Sequence, residues 1–419
     1  MGLGLLARWP EIQRKVASAE TRLRIEAVEH RGTRTLQVEG RHLTSRYRRD
    51  EEAETQASRI PADAKDVAVY GLALGDLCRH LLDRPIETLR VIILQRELAA
   101  RALEDFDFEW LSDPRVDVVL GRDARMLEPH WAASPVSLAF ADADALPIRD
   151  RVLLEVGRPY QERRHAEREA MIQATFEHND ALRRSDGDVA ELFRTRSGSI
   201  AVAAAGPTLS DSFEWLRDSR PWVISVTTAV GPLQKAGIDP DLVIAVDPKP
   251  ELVTHYPAMD LLRLRETPLV YAACVHRSFL EKWPGPRLGA YLGQPRYERL
   301  AEARPRGTLF CSGTVTHAAT DLAVQMGAER VWLLGADFAY LRTRSHVEGA
   351  PNERGLPTDA VFDVLTGRGD RAPSDLALIG FLRDLEGYIA LHPEVEFLCR
   401  SLDGAKIART KFKNARDDV

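Results

Sequence analysis

The chain has 419 residues, of which 57 are basic and 63 acidic, so its formal net charge at pH 7 is −6. This length is typical of two or three domains, and the contents of 44% hydrophobic and 29% charged residues are those of a soluble globular protein. The acidic balance argues against a broad nucleic-acid-binding surface, and the sequence lacks the run of about eighteen apolar residues that predicts a transmembrane helix.

The cysteines predict a reducing compartment. Cys78, Cys274, Cys311 and Cys399 are scattered without a C-x-x-C pair, which favours neither a zinc site nor a disulfide framework. The apolar stretch 1–9 is too short for a secretory signal. We therefore expect a cytoplasmic protein with reduced, mostly buried thiols and no bound metal.

The N-terminal domain is predicted to span residues 1–150. Its first part is rich in charge and predicts a helix over about 7–20 and short strands around 22–38. From residue 66 onward, apolar runs of strand length alternate with helical patterns, with strands at 67–70, 89–94 and 116–120 and helices at 76–83 and 97–105. This alternation predicts a small parallel α/β unit over 66–150.

Residues 151–197 are predicted to form a helical linker. Charges recur there at helical spacing and turn residues are few. We interpret this pattern as one or two solvated helices rather than as a binding surface.

A second α/β domain is predicted over residues 198–400, followed by a C-terminal tail over 401–419. Its predicted strands are 200–204, 222–226, 242–246, 269–273 and 330–335. Two predicted helices end at about residues 217 and 237, and two more span 313–326 and 374–391. A long polar loop over 341–373 is typical of a lid or a binding loop. The fold class is therefore α/β, with a Rossmann-like parallel-sheet core, a smaller N-terminal α/β domain and helical additions.

The first candidate site is the turn between strand 200–204 and the following helix. A tight strand-to-helix turn leaves backbone N–H groups at the positive end of a helix dipole, where a phosphate binds well. Gly206 allows close approach of the backbone, Pro207 has no N–H, and Thr208 or Ser210 offers a hydroxyl. An ordinary capped turn explains the same residues equally well.

Two aspartates follow strands directly. Asp247 ends strand 242–246 and Asp337 ends strand 330–335, and open parallel sheets bind ligands outside the carboxyl ends of their strands. Either aspartate could hold a ribose hydroxyl or a divalent cation, and Asp337 is a candidate catalytic group. Turn aspartates are the alternative. Thr227, after strand 222–226, is a further candidate nucleotide ligand.

Two more segments carry candidate residues. Ser312, Gly313 and Thr314 open a predicted helix and could bind a second anionic group, or Ser312 could simply cap that helix. His346 lies among arginines and Glu348 near the start of the long loop, where it could act as a general base or be a plain surface residue. The turn 71–75 lacks the third glycine and the acidic residue of a dinucleotide fingerprint, which argues against a cofactor there.

Together these motifs are more specific than any of them alone, because they occur in the order of a known family. The chain resembles the motility accessory factor family of bacterial flagellin glycosyltransferases, whose core is the domain also called 6-hydroxymethylpterin diphosphokinase MptE-like. The resemblance extends over about residues 65–410. The segments that carry it are 69–75, 205–209, 235–241, 245–248, 312–315, 334–340, 345–349 and 402–407. Ala73 stands where the family has a glycine.

The resemblance implies a fold similar to that of bacterial sialyltransferases and a CMP-activated donor. Gly206, Pro207 and Thr208 would hold the phosphate and ribose of that donor, and Ser312, Gly313 and Thr314 would line the same pocket. His346 would be the base. The reaction implied is transfer of a nonulosonic acid, such as pseudaminic or legionaminic acid, to Ser or Thr of flagellin or a related surface acceptor, with no further cofactor.

Two other functions remain open. An ATP-dependent 6-hydroxymethylpterin diphosphokinase would need Mg²⁺ between its phosphates, with Asp247 or Asp337 as a ligand. A non-catalytic protein could instead bind nucleotide sugars during surface-glycan assembly.

Overall fold

The computed structural model describes residues 2–351, 353–356 and 362–413. The chain divides into two compact units, Met1–Arg158 and Pro159–Val419, and each unit has its own hydrophobic core. No helix in the described parts of the chain is both long enough and apolar enough to cross a membrane.

The N-terminal unit contains a three-stranded antiparallel sheet and a four-stranded parallel sheet, with the parallel strands in the order 116–120, 88–93, 66–70 and 131–133. The predicted parallel α/β unit is thus confirmed. Its elements are α1 (Pro10–Ala17), β1 (Ile25–His30), β2 (Thr33–Val38), β3 (Arg41–His42), α2 (Arg49–Ser58), β4 (Asp66–Tyr70), α3 (Asp76–Leu82), β5 (Thr88–Ile93), α4 (Arg96–Asp105), β6 (Val116–Leu120), β7 (Trp131–Ala133) and α5 (Pro135–Ala139).

A long helix, α6 (Leu146–His178), includes the boundary between the two units, and α7 (Asp180–Ser185) follows it. The C-terminal unit then continues with β8 (Gly187–Asp188), β9 (Ser199–Ala203), α8 (Phe213–Ser219), β10 (Trp222–Val226), α9 (Thr227–Lys235), β11 (Leu242–Ala245), β12 (Leu269–Ala272), α10 (Arg277–Leu280), β13 (Arg287–Leu292), α11 (Glu298–Ala303), β14 (Thr308–Leu309), α12 (Val315–Met326), β15 (Arg330–Leu334), β16 (Phe362–Leu365), β17 (Arg371–Ser374), α13 (Leu376–Leu391), β18 (Glu396–Cys399) and β19 (Lys411–Phe412).

The core of the C-terminal unit is a parallel sheet with the strand order β14-β13-β12-β11-β10-β9-β15-β18-β19, and the short strand β8 also pairs with β13. Residues Ile200–Ala203 of β9 are all at most 1% exposed. A strand buried on both faces explains why this segment is a continuous apolar run without alternation. The predicted Rossmann-like α/β core is confirmed.

Helix α12 packs across β9, β10, β11 and β15. Its N-cap is Thr314, whose hydroxyl accepts a hydrogen bond from the amide of Thr316 at 3.4 Å. The structure therefore corrects the alternative in which Ser312 caps this helix. The helix ends at Gly327, whose φ of 103° is the left-handed conformation that glycine adopts at little cost.

Several strands differ from the sequence-based expectation. Strand β8 lies within the predicted linker, β19 lies within the predicted tail, and β16 and β17 form a hairpin at the end of the predicted loop. Residues 352 and 357–361 of that loop lie outside the described residues. These strands have two to four residues, which is too short for a periodic signal to show.

Candidate functional site

The candidate site is built at the carboxyl ends of β9 and β15. From β9 the chain continues to β10 on one side of it, whereas β15 pairs with β9 on the other side. The chain therefore leaves β9 toward one side of the sheet and β15 toward the other, so the strand order switches between these two strands. Open α/β sheets bind their ligands at such a switch point.

The turn after β9 fits tightly against the end of β15. The amide of Gly206 donates to the carbonyl oxygen of Gly335 at 2.8 Å. A Cβ atom on Gly206 would lie 2.5 Å from Oδ2 of Asp337, and the carbonyl oxygen of Gly335 would be closer still. Only glycine fits at position 206, because the two loops approach each other there.

Asp337 joins the two loops through Thr208. Its Oδ2 accepts from the Thr208 amide at 2.8 Å, and its Oδ1 accepts from the Thr208 hydroxyl at 2.5 Å. Asp337 is 5% exposed, and burial raises its pKa to about 6 although the hydrogen bonds from Thr208 oppose the shift. The amide and the hydroxyl of Thr208 thus both donate to Asp337. The catalytic role of Asp337 stays a prediction.

The other residues of this turn make their contacts within the turn itself. Pro207 is buried, and the hydroxyl of Ser210 donates to the carbonyl oxygen of Pro207 at 3.2 Å. The segment Pro207–Ser212 is a 3-10 helix that leads into α8. Among the residues predicted to bind phosphate, Gly206 is therefore the one whose role depends most on its position beside the end of β15.

A second group of polar residues lies at the ends of β10 and β11. Thr227 is the first residue of α9, and its hydroxyl lies 3.2 Å from Nδ1 of His255. Asp247 follows β11, and its Oδ1 accepts from the amide of Lys249 at 3.0 Å. His255 is 4% exposed; burial lowers its pKa, and the nearby negative charge of Asp247 opposes that shift.

His346 joins this second group from the loop after β15. The amide of Val347 donates to the carbonyl oxygen of Ala205 at 2.8 Å, which holds the loop against the end of β9. Nδ1 of His346 lies 2.7 Å from the hydroxyl of Ser345. Burial, the positive charge of Arg354 and the neighbouring His255 all lower the pKa of His346. His346 is therefore a half-buried imidazole that is neutral near pH 7.

Thr227 thus contacts His255, whose imidazole interacts electrostatically with Asp247 and with His346. The sequence singles out Thr227, Asp247 and His346 separately. Sequence reasoning missed His255 because it lies in the 3-10 segment Pro250–Ala258, where no apolar period marks it. The available signal was its position in the connection that follows Asp247 at the carboxyl end of a strand.

Helices α12 and α13 supply the contacts of Ser312, Gly313 and Thr314. The hydroxyl of Ser312 donates to Oδ2 of Asp384 at 2.5 Å, and its amide donates to Nδ1 of the fully buried His317 at 3.2 Å. A Cβ atom on Gly313 would lie 2.6 Å from the ring of Phe381. The role of this segment in the same pocket as Gly206 stays a prediction.

On the other side of β9, a cavity of about 140 Å³ lies at the carboxyl ends of β15 and β18. Thr208 and Asp337 line it together with Arg400 and the segment 404–407. The Arg400 guanidinium lies 4.5 Å from the ring centre of Trp215 and 5.4 Å from that of Trp332. The segment 404–407 belongs to the motif 402–407, which carries part of the family resemblance.

Within the described ranges, no group of three or more His, Cys, Asp or Glu side chains is arranged to hold a metal ion. Asp247 and Asp337, the two candidate ligands, follow different strands and have the separate partners given above. The four cysteines are free, and Cys399 is the one that is not fully buried.

Comparison with known proteins covers part of the site, because the matched residues include Gly206, Asp247 and Asp337 but end before His346. Residues 176–343 match the family model described as 6-hydroxymethylpterin diphosphokinase MptE-like, so the predicted resemblance is confirmed over that part of the chain. No curated protein matches the chain in sequence. Among solved structures, the chain is similar to the Maf glycosyltransferase from Magnetospirillum magneticum AMB-1, with 16% identity and a TM-score of 0.48 over all of this chain and 74% of that one.

Proposed function

We propose that the protein is a glycosyltransferase that moves a nonulosonic acid from a CMP-activated donor to Ser or Thr of flagellin or a related surface acceptor. The observation that carries the proposal is the position of the Gly206 turn at the switch in strand order, with His346 tied to the end of the same strand through Val347 and Ala205. The match of residues 176–343 to the MptE-like domain and the order of the motifs support it.

The donor phosphate would lie over Gly206 and face the amino terminus of α9. Thr227 begins that nine-residue helix at the carboxyl end of β10, so the first amides of α9 have no partner inside the helix. These amides and the helix dipole favour a negative charge. Asp247, at the end of the next strand, would accept hydrogen bonds from hydroxyl groups of the donor.

His346 would remove the proton from the acceptor hydroxyl. For Nε2 to act as the base, Nδ1 must carry the ring proton and donate it to the hydroxyl of Ser345, 2.7 Å away. The Ser345 oxygen also accepts from the amide of Arg354 at 3.0 Å, which fixes its position. Because the pKa of His346 is lowered, the imidazole is in its basic form near pH 7.

Substitution of His346 tests the catalytic role. With a CMP-activated nonulosonic acid and flagellin, we expect His346→Gln to lower kcat by about 100-fold or more while the dissociation constant for CMP stays nearly unchanged. His392→Gln is the matched control, because His392 lies at the end of α13 beside Glu394. A His346→Gln variant with the wild-type kcat would contradict the role of His346. If wild-type protein binds CMP without any transfer, a non-catalytic binding protein becomes the better description.

The pH dependence gives a second test. A base with a lowered pKa stays deprotonated further into the acidic range, so kcat/KM, which reports the free protein, should fall only as the pH drops below 6.5, the usual value for histidine. A pH–rate profile with its acidic limb centred above 6.5 would contradict this assignment.

The 6-hydroxymethylpterin diphosphokinase remains the second candidate, because the description of the matching family model names that activity. Thermal shift and calorimetry with CMP, CDP, ATP and GTP, each with and without Mg²⁺, distinguish the two functions. Metal-independent stabilisation by CMP supports the glycosyltransferase. A Mg²⁺-dependent preference for ATP favours the diphosphokinase.

A further inference from the structure

The loop after β15, which carries His346, is held at both ends of the turn that follows β9. At one end, the amide of Val347 donates to the carbonyl oxygen of Ala205 at 2.8 Å. At the other end, Nη2 of Arg342 donates to both carboxylate oxygens of Asp211 at 3.0 Å, and Asp211 belongs to the 3-10 helix of that turn. His346 therefore lies between two anchor points of the loop.

Arg342 occupies a strained turn. Leu341 and Arg344 exchange two backbone hydrogen bonds of 3.0 and 2.8 Å, so the chain reverses direction over the two residues between them. Arg342 has φ 52° and Thr343 has φ 64°. Positive φ at both central residues is the mark of a type I′ turn, which favours Asn-Gly because other side chains, β-branched ones above all, are strained there. Other contacts of the loop must therefore offset the strain of Arg and Thr at these positions.

The ion pair with Asp211 is a contact that offsets this strain from outside the loop. The side chain of Arg342 is 52% exposed and that of Asp211 is 32% exposed, and Oδ2 of Asp403 lies 3.8 Å from the same nitrogen of Arg342. An ion pair at this exposure stabilises a protein by no more than one left-handed residue with a side chain costs. The closed turn is therefore closely balanced, and loss of the ion pair lets it relax.

Short backbone contacts connect the turn to His346. Arg344, which ends the turn, also forms an antiparallel bridge with Gly355. The amide of Ser345 donates to the carbonyl oxygen of Arg354 at 2.9 Å, and the hydroxyl of Ser345 accepts from the amide of Arg354 at 3.0 Å. That hydroxyl lies 2.7 Å from Nδ1 of His346. A movement of the turn therefore displaces the side chain that orients the imidazole.

We propose that Arg342 is a positioning residue, whose contact with Asp211 fixes the loop so that His346 stays in the position from which it removes the proton of the acceptor hydroxyl. The inference rests on the proposed function, because it assigns Arg342 and Asp211 to the orientation of the base in that reaction. In this role Arg342 contacts neither the donor nor the acceptor, and it acts through His346.

Two substitutions remove the contact with opposite changes of charge. Arg342→Asn removes the guanidinium but keeps a residue that tolerates the left-handed backbone, and Asp211→Asn neutralises the carboxylate. Loss of a positive charge by itself raises the pKa of His346, whereas loss of a negative charge by itself lowers it. Release of the loop exposes the imidazole. Because burial is the largest cause of its lowered pKa, we expect the pKa of His346 to rise toward 6.5 in both variants.

Besides burial, three charged or titratable groups act on His346. Arg354 and Glu353 lie in the same loop, and His255 lies in the 3-10 segment after β11, where Asp247 acts on it in turn. Both substitutions leave all of these groups in place. A rise of the pKa in both variants therefore reports movement of the loop.

Two measurements on the free protein test the inference without any substrate. NMR titration of the imidazole Cε1–H signals gives the pKa, and His346→Gln identifies the signal of His346. Hydrogen exchange of the amides of residues 344–350 should become about 10-fold faster in both variants, because the loop opens more often. The matched control is Arg184→Ala, which breaks an exposed ion pair with Asp180 in α7 and should change neither measurement.

Kinetics then connect the loop to the reaction. In both variants kcat should fall about 10-fold and the acidic limb of kcat/KM should move to higher pH, while the dissociation constant for CMP stays nearly unchanged. The double variant should lose no more than either single variant, because both remove the same contact.

The outcomes separate this inference from the proposed function. If the pKa of His346 stays unchanged in both variants, or moves in opposite directions, the inference alone is overturned. Unchanged hydrogen exchange has the same meaning. If the wild-type protein transfers no sugar, the proposed function is overturned together with the role of Arg342 in that reaction.

Discussion

The substitution Gly206→Ala tests whether the close contact between the loop after β9 and the loop after β15 requires glycine. Gly206 has φ −67° and ψ 162°, a backbone conformation that alanine adopts without cost. The whole effect of the added methyl group is therefore steric. It would lie 2.5 Å from Oδ2 of Asp337 and closer to the carbonyl oxygen of Gly335, and a backbone carbonyl cannot move aside as a flexible side chain can.

The size of the effect follows from the contacts that must open. Overpacking at a tightly packed position costs about 1–3 kcal/mol. Separation of the turn from β15 also lengthens the 2.8 Å hydrogen bond between Thr208 and Asp337, and a lost hydrogen bond to a charged group costs about 1.5–3 kcal/mol. Because partial relaxation makes these costs less than additive, we expect the free energy of unfolding to fall by about 3 kcal/mol.

Hydrogen exchange of peptides from β9 and β15, together with urea unfolding, measures this change. The matched control is Gly387→Ala in α13, where a Cβ atom meets nothing within 4 Å and alanine should stabilise the helix by about 0.5–1 kcal/mol. A loss below about 1 kcal/mol in Gly206→Ala, with unchanged exchange in β9 and β15, would refute the argument that the two loops require glycine there.

Two further predictions concern carboxylates, the buried Asp337 and the half-buried Asp375. The pKa of Asp337 is raised to about 6, so the folded state holds this proton more tightly than the unfolded chain; the contribution of Asp337 to stability is fully present below pH 3.8 and is lost as the pH rises through about 6. Asp337→Asn should remove this contribution, so that the change in the free energy of unfolding across that window differs from the wild-type change by up to about 3 kcal/mol. Identical changes in the two proteins would contradict this prediction. Asp375 caps α13 by accepting from the Leu378 amide at 2.8 Å and also accepts from the Tyr340 hydroxyl at 2.8 Å. Asp375→Ala should therefore lower the free energy of unfolding by about 1–2 kcal/mol. Asp375→Asn is the control, because asparagine retains an oxygen that can cap the helix. Equal losses of stability in both variants would contradict a capping role.

The sequence determined the class of fold because parallel strands have a strong local signature. Strands such as β9 and β15 are buried on both faces, so each is a continuous apolar run, and helices with clear periods separate them. The same pattern placed Gly206, Asp247 and Asp337 at strand ends, and the carboxyl ends of parallel strands share one edge of the sheet. Short strands such as β8 and β19 escaped prediction, since two residues show no period.

Only the tertiary structure decided which of these residues meet. The order of strands is set by packing between elements distant in sequence, and it puts β15 beside β9, so that Asp337 reaches Thr208 while His346 reaches the side of β10. The pKa values of Asp337 and His346 depend on burial, which no local pattern reports. The motif 402–407 is visible in the sequence, but its position over the cavity at the ends of β15 and β18 comes from the return of the chain between β18 and β19.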